Sequence, residues 1–535
     1  MSTQYQILVV NNIKLSVNAS VKEAFSVARH RLKKCGVSAS DFYVYRRSVD
    51  ARHKDDIRFV YSIAAKCDGA PERDIPDVTP LYEQSPDITY GKENLTAPPL
   101  VVGTGPCGLF AALLLAEQGY APIVIERGGT VEERKSAVDK FNSLGILDTE
   151  SNIQFGAGGA GTFSDGKLVT RINDPYTGYV LDRFVEFGAS SDIKYIAKPH
   201  IGTDVLSRIV DAMLSRICEL GGTVMYHTRL LSFDTASNRV TTVKTTSGDI
   251  EAGAVILAIG HSSRDTYDYL LNKGVSIECK PFSVGMRIEH RTSDIDRAMY
   301  GDFAGHPALG HAEYNLSYDT KNRGVYTFCM CPGGDVVAAA SEEFGVVVNG
   351  MSNNARDGRN SNSAVVCSIF KEDYGATPRG AIDFQRKIER AAYSAAGADY
   401  SAPMVTVGDF LTDRCVSEPT SVIPTYMNSG KVRLASPTEY LPTFVTEQMK
   451  CAIASFGKKI DGFDAPYAIL TGAETRTSAP LRILRDKDTR LAVGFDNLYP
   501  AGEGAGYAGG ITSAAIDGIK CAISLMSRYK PYSIS

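Results

Sequence analysis

Three stretches of this chain combine dense glycine with isolated polar groups, a pattern expected where backbone and ligand come close together. The first is Gly103-x-Gly105-x-x-Gly108, which follows the apolar run Leu100–Val102 and opens the apolar pattern "PCGLFAALLLAEQG". Gly103 permits a tight turn, Gly105 lets a pyrophosphate approach the backbone, and Gly108 lets the following helix lie against the strand. Pro106 and Cys107 sit inside this turn, and a second apolar run, "PIVIE", ends at Glu126. A carboxylate at a strand end can accept hydrogen bonds from ribose hydroxyls. A glycine triplet alone is weak evidence. Strand, glycine turn, helix and acidic strand end at this spacing predict a dinucleotide site.

The other two stretches identify which dinucleotide. "NIQFGAGGAGTFSDGKL" runs from Asn152 to Leu168, and its small residues with Gly159, Thr162, Ser164, Gly166, Lys167 and Leu168 fit a wall around a ribityl chain and pyrophosphate. Arg127 and Arg134 follow Glu126 at the same end and are expected to contact the cofactor. The third stretch, "LYPAGEGAGYAGGITSAAIDG", lies about 400 residues after the first and opens a helical pattern. There Gly502 makes the turn, Glu503 can reach ribityl hydroxyls, and the backbone up to Gly510 and Ile511 can face the pyrimidine end of a flavin. The helix N-terminus behind it favours negative charge on a reduced ring. Between these stretches, backbone near Leu230 can meet an adenine, and "GAVILAIGHS" is a buried strand carrying Ala258 and ending at Gly260. The reading is non-covalent FAD.

The elements that must position these residues follow from composition and patterning. The chain has 535 residues, 44% hydrophobic and 22% charged, enough for two or three domains with a large core. Net charge is −4, too mild to imply a polyanionic partner for the whole chain. Residues 1–66 carry 12 Lys+Arg against 5 Asp+Glu, so this segment is +7 and the remainder −11. The eleven cysteines show no disulfide framework and no CxxC…CxxC zinc spacing, so no metal is expected. No signal-peptide pattern and no apolar run of membrane-spanning length is present, which predicts a cytoplasmic protein with no membrane partner.

Residues 1–67 read as a small α+β domain, with a strand pair turning at Asn11-Asn12, a helix ended by Gly36 and two more strands. A Pro- and Asp-rich linker that need not pack on its own follows over 68–97. The FAD-binding domain is expected in two parts, 98–280 and 463–535, interrupted over 281–462 by a β-rich substrate or cap domain. The expected class is therefore α/β, built on a Rossmann-like FAD-binding domain.

The motifs "QFGAGGAGTFSDGKL", "KPHIGTD", "KPFSVGMRIEH", "FCMCPGGDVVAAASEE", "RDGRNSNSA", "ETRTSAPLRI" and "LYPAGEGAGYAGGITSAAIDG" lie between residues 154 and 518, and "RRSVDAR" lies in the N-terminal unit. Through them it resembles the bacterial FAD-utilising dehydrogenase family, a largely uncharacterised group related to geranylgeranyl reductases and other proteins with a glutathione-reductase-type FAD domain. Cys107 departs from the usual pattern, in which a smaller residue is commoner. The resemblance implies an FAD-dependent oxidoreductase whose insert roofs the flavin, and it is nearly silent on substrate.

For catalysis, Glu474, Arg476 and Arg482 alternate and are expected to cluster before the flavin-closing loop. Arg476 either holds an anionic substrate or flavin charge, or pairs with a Glu to staple the insert to the FAD domain. Cys329 and Cys331 are expected on one face of a strand, with Cys331 at the flavin as a shape-setting residue or a nucleophile, or else in the core. His200 and His261, beside glycine turns, read as acid–base groups or as plain hydrogen-bonding partners. No second strand–GxGxxG–helix unit occurs between 170 and 462, so an external electron donor or acceptor is expected beside a small-molecule substrate. Hydride transfer at flavin N5 is the leading reading. The alternative is an RNA-directed flavoprotein using the basic N-terminal domain, although nucleic acid is not the expected partner.

Overall fold

Leu100–Val102 is a strand of three apolar residues, all buried, at the centre of a five-stranded parallel sheet. The computed structural model describes residues 6–34, 36–69, 76–82, 85–170, 174–320, 323–428 and 431–532. Across the parallel sheet the strands run Leu498–Pro500, Val255–Leu257, Leu100–Val102, Ile123–Ile125 and Thr223–Met225. Val101 stands opposite both Ile256 and Val124, and Ile256 opposite Tyr499. Strands so short and so apolar need cover on both faces. Val101 points into a core shared with helices Pro106–Glu117, Thr203–Glu219 and Ile511–Arg528. Leu100 and Val102 point the other way, toward Phe233 and Val243 of a three-stranded meander over 230–251. Helix Pro106–Glu117 is buried all round rather than along one stripe, because the other two helices flank it.

The glycine turn is shaped by the protein at two of its three positions. Gly103 has φ +100°, and a Cβ there would lie 2.4 Å from the Ala258 carbonyl oxygen. At Gly108 a Cβ would lie 1.9 Å from the Gly103 carbonyl oxygen, so the helix can seat on its strand only without a side chain.

A seven-stranded sheet forms the second large layer, in the order Ser317–Asp319, Gly324–Cys331, Asn360–Ile369, Phe282–Arg291, Ile469–Glu474, Ala402–Thr406 and Val432–Leu434. All its pairings are antiparallel except the last. Phe282–Arg291 is its spine and is buried except at Arg291. Ile469–Glu474 pairs with that spine, so the chain leaves this sheet only after Glu474, beyond the boundary expected at 462. Hydrogen bonding to two neighbours holds the segment here, although the apolar run alone did not say which sheet would take it.

Near the N-terminus, strands Gln6–Ser16, Ala39–Asp50, Arg58–Cys67 and Val78–Pro80 form an antiparallel sheet with helix Val21–Lys34. The expected turn at Asn11-Asn12 is instead a bulge within one strand. Pairing passes from Val10↔Ile63 to Ile13↔Tyr61, which keeps Leu8, Val10 and Ile13 all on the buried face. Part of the expected linker also pairs, since Val78–Pro80 adds to this sheet, while 70–75 and 83–84 lie outside the described residues. The sheet is tied to the rest of the chain at Arg47. Its N–H donates to the Tyr195 carbonyl at 2.7 Å, and the Ala197 N–H donates back to the Arg47 carbonyl at 2.9 Å.

Gly108→Ala forces strand and helix apart and is expected to destabilise the fold by about 1–3 kcal/mol. A lowered thermal midpoint, with or without added cofactor, is the readout; an unchanged midpoint would contradict this account of the packing.

Candidate functional site

The carboxyl ends of the parallel strands open into a cavity of about 440 Å3, the place where open α/β sheets bind ligands. One end is walled by Gly103, Gly105, Pro106 and Cys107, the other by Glu313, Cys329 and Asn349 of the antiparallel layer. Of the residues expected at a cofactor, Glu126, Arg127, Gly159, Ser164, Lys167, Leu230, Ala258, Gly260, Glu503, Gly510 and Ile511 also line it. Gly108, Arg134, Thr162, Gly166, Leu168 and Gly502 stand behind the wall.

The reasons for that displacement are local. Arg134 turns inward, fully buried, and donates to the carbonyls of Asn152, Ile153 and Ala157 at 2.7–2.8 Å. It shapes the loop from below rather than meeting a ligand, and burial lowers its pKa to about 9. Thr162 is buried beneath the loop, with its hydroxyl toward the Ala157 carbonyl, and Leu168 is buried with its carbonyl taken by the Thr512 hydroxyl. A Cβ on Gly166 would meet the Gly202 nitrogen at 2.8 Å, and one on Gly502 the Cys107 side chain at 2.7 Å, so both serve chain-to-chain contacts.

Glu126 is 4% exposed and already satisfied by the protein. One oxygen accepts from the Thr104 N–H at 3.0 Å and its hydroxyl at 2.6 Å; the other accepts from the N–H groups of Gly128 and Gly156 at 3.1 and 3.0 Å. A carboxylate offers about four acceptor directions. All are used to brace the glycine turn against the Gly156 loop, so a ribose hydroxyl there would have to displace a donor. Arg127 lies over the Phe155 ring at 4.0 Å and pairs with Glu150 and Asp265.

The loop 501–507 reaches the cavity because Asp517 accepts from the Gly502 N–H at 2.8 Å and binds Arg485. Tyr267 donates to the Gly504 carbonyl at 2.7 Å. This leaves Glu503 half-buried against the cavity. Burial raises its pKa to about 7, partly offset by Lys280.

Glu474 and Arg476 do not pair with each other. Glu474 binds Arg287, with Nε and Nη2 both at 3.0 Å, deep in the antiparallel sheet. Arg476 binds Glu389 through Nε at 3.1 Å and Nη2 at 3.0 Å, and also donates to the Ser341 hydroxyl. Glu389 in turn holds Arg264 through contacts of 2.8 and 2.7 Å. Arg264 belongs to the helix after Gly260 and Glu389 to helix Pro378–Ala395, so Arg476 makes the contacts of a staple, while it and Glu474 also line the cavity. Arg482 lies elsewhere, 3.5 Å from Glu278.

The two cysteines do not share one face, and Cys331 takes the core position rather than the flavin face. A register shift between Phe328 and Cys331 breaks the alternation, with Cys329 at φ +46°. Cys329 therefore lines the cavity while Cys331 is buried behind it. A hydrogen bond from Cys331 lowers the Cys329 pKa, helped by Arg287 and Lys167, and the same contact with burial raises that of Cys331. His261 lines the cavity, but burial beside Arg476 and Arg264 lowers its pKa to about 3, leaving a neutral ring 2.9 Å from the Ser262 hydroxyl. His200 is likewise lowered by burial and stands 3.1 Å from the Asn354 carbonyl. Arg287 was missed in the sequence, although an arginine amid "FSVGMRI" is a legible oddity. Among the described residues no His, Cys, Asp and Glu cluster could hold a metal ion, and no helix is long and apolar enough to cross a membrane.

Comparison with known proteins agrees on the cofactor. A model described as "FAD binding domain" matches residues 96–151, and one described as "FAD-dependent protein, C-terminal domain-like" matches 281–477. A domain of unknown function, DUF8436, matches 8–66. An uncharacterised protein of Clostridium beijerinckii is 44% identical over 530 residues, covering 97% of this chain and 98% of that one. Among solved structures, L-amino acid deaminase from Proteus vulgaris is 12% identical over 84% of this chain and 98% of its own, with a TM-score of 0.33. Glycine oxidase from Bacillus cereus is 10% identical over 81% and 99%, also at 0.33. Likenesses of that size carry nothing over to this site.

Glu503 ionises near 4.5 in the unfolded chain and near 7 in the fold, so its contribution turns destabilising as pH rises between those values. Glu503→Gln removes the titration. In thermal denaturation the variant is expected to exceed the parent at pH 8 and to lose that advantage toward pH 4; a pH-independent difference would refute the burial argument.

Proposed function

Because this chain belongs to a family of FAD-dependent proteins, we propose that it is an oxidoreductase moving a hydride between flavin N5 and a small organic substrate. The observation that carries this reading is a set of glycines with no reason inside the protein. Gly105 has φ −60°, a conformation open to any residue, and a Cβ there would meet nothing closer than the Gly159 Cα at 3.9 Å. Gly509 and Gly510 would meet no atom within 4 Å, and Gly510 has an extended φ of 174°. Side chains are missing where they would enter the cavity, and a bound molecule explains why.

These residues fit FAD. Gly105, Pro106 and Gly159 would hold the pyrophosphate, Leu230 and Arg127 the adenosine end, and Glu503 with the Gly509–Ile511 backbone the ribityl and pyrimidine groups. Bound FAD supplies two-electron chemistry at its ring. The chain supplies position, exclusion of water by the antiparallel layer, and a carboxyl at Glu503 poised near neutrality. It also places a thiol, Cys329, and a neutral imidazole, His261, on the cavity wall. The domain architecture proposed is a glutathione-reductase-type FAD domain roofed by the antiparallel sheet. The second electron-transfer partner is external, either visiting this cavity in turn or acting as a protein.

The RNA-directed alternative gains no support from the basic N-terminal sheet. Arg52 is paired with Asp50 and Arg58 with Asp56, so part of its charge is answered locally.

The purified protein is expected to release one FAD per chain into the supernatant on acid precipitation. Gly105→Ala should leave the thermal midpoint of the flavin-free protein nearly unchanged yet weaken FAD binding at least about tenfold, about 1.4 kcal/mol. FMN in the supernatant, or a Gly105→Ala protein that binds FAD as tightly as the parent, would overturn the assignment.

A further inference from the structure

The cavity opens to solvent where Val169 and Lys198 are exposed, and the charges around that opening are unevenly placed. Two carboxylates stand there, Asp165 and Glu313. Arg356 claims both from behind: its Nε is 2.9 Å from Asp165 Oδ1, its Nη2 binds Oδ2, and its Nη1 is 2.7 Å from Glu313 Oε1. Asp165 is sealed at 1% side-chain exposure and Glu313 nearly so at 13%. Two lysines remain in front. Lys167 donates to the Met330 carbonyl and lies 4.0 Å from Asp165; Lys198 donates to the Glu313 carbonyl at 3.4 Å and lies 3.6 Å from its carboxylate. Three cations thus face two carboxylates, an excess of one positive charge, and the lysines present it at 24% and 57% side-chain exposure.

The rest of this end does not cancel that charge. Glu474 is neutralised by Arg287, Glu389 by Arg264 and Arg476, and His200 is held neutral. The groups left to answer it from inside are the Cys329 thiol and the Glu503 carboxyl, the latter already facing Lys280. Lysine ammonium groups at the mouth of a low-dielectric cavity concentrate anions there.

We infer that the substrate of the proposed oxidoreductase is a carboxylate, guided through this opening and held by Lys198 together with Lys167. The inference rests on the FAD-site reading, and it assigns a substrate class and a recognition residue, Lys198, to that site. An exposed lysine contributes modestly, so a several-fold effect is expected rather than a complete loss.

The test uses the FAD-loaded protein, with flavin content measured first, and calorimetric titration at pH 7.5 and low salt. The probes are sodium formate, acetate, succinate and benzoate, with benzamide as the uncharged counterpart of benzoate. At least one carboxylate should bind saturably, benzoate at least about tenfold tighter than benzamide. Lys198→Gln should weaken the bound carboxylate about three- to tenfold, Lys198→Glu more, and Lys198→Arg should restore it, all at unchanged flavin content. Bound carboxylate should also slow alkylation of Cys329 by iodoacetamide, followed by peptide mass spectrometry. The inference is overturned if none of the four carboxylates saturates, if benzamide matches benzoate, or if Lys198→Glu binds like the parent. A preparation without FAD would instead sink the reading beneath it, so the two failures are distinguishable.

Discussion

The arrangement of the two large sheets depends on one buried carboxylate. Glu389, 2% exposed, sits on a helix of the antiparallel layer and accepts from Arg264 of the parallel layer and from Arg476 of the segment leaving the antiparallel sheet. Thr475 adds a hydroxyl at 2.7 Å. Its paired guanidinium groups hold its pKa well below the ordinary range despite burial. A buried ion pair of this kind adds little net stability over an apolar contact, but losing one partner strands charge and costs about 3–5 kcal/mol. Such an interaction tolerates one geometry. It therefore fixes where the antiparallel layer lies over the carboxyl ends of the parallel strands, and so the height of the cavity between them.

Within that frame the glycines divide into two populations. Gly103, Gly108, Gly166, Gly502 and Gly504 are small because other chain atoms occupy the space, the last with its Cβ direction 2.5 Å from the Gly260 carbonyl oxygen. Gly105, Gly509 and Gly510 are small beside empty volume. The first group builds the cavity and the second keeps it open. Glu126, Arg134 and Asp517 serve the first group, each tying loop backbone in place through its own charge.

How much of this was legible follows the reach of each signal along the chain. The glycine turn, the acidic strand end and the small-residue loops are local patterns, and the elements they predicted are present. Arg134 lies within ten residues of Glu126, which suggests a ligand contact, but spacing does not say on which side of a loop a side chain points. The pairing of Arg287 with Glu474 joins residues far apart in sequence, so no local pattern contained it, although an arginine amid an apolar strand hinted at a buried partner. A bulge separates Cys329 from Cys331, so only Cys331 takes the core place that alternation allows for both, and the bulge itself leaves no local pattern. The attachment of Ile469–Glu474 to the antiparallel sheet was decided by hydrogen bonding across sequence distance rather than by its own residues.

Chain order has a consequence for how the protein is made. Val255–Leu257 pairs on one side with Leu100–Val102 and on the other with Leu498–Pro500, the last strand of the parallel sheet to emerge during translation. At about 5–20 residues per second, the ribosome needs roughly 10–50 s between finishing Val255–Leu257 and finishing Leu498–Pro500. Throughout that interval a fully apolar strand has an uncovered edge, the kind of surface that recruits other chains. The loop bearing Glu503 arrives later still, so the nascent polypeptide lacks that wall of the proposed flavin pocket until this segment has been made.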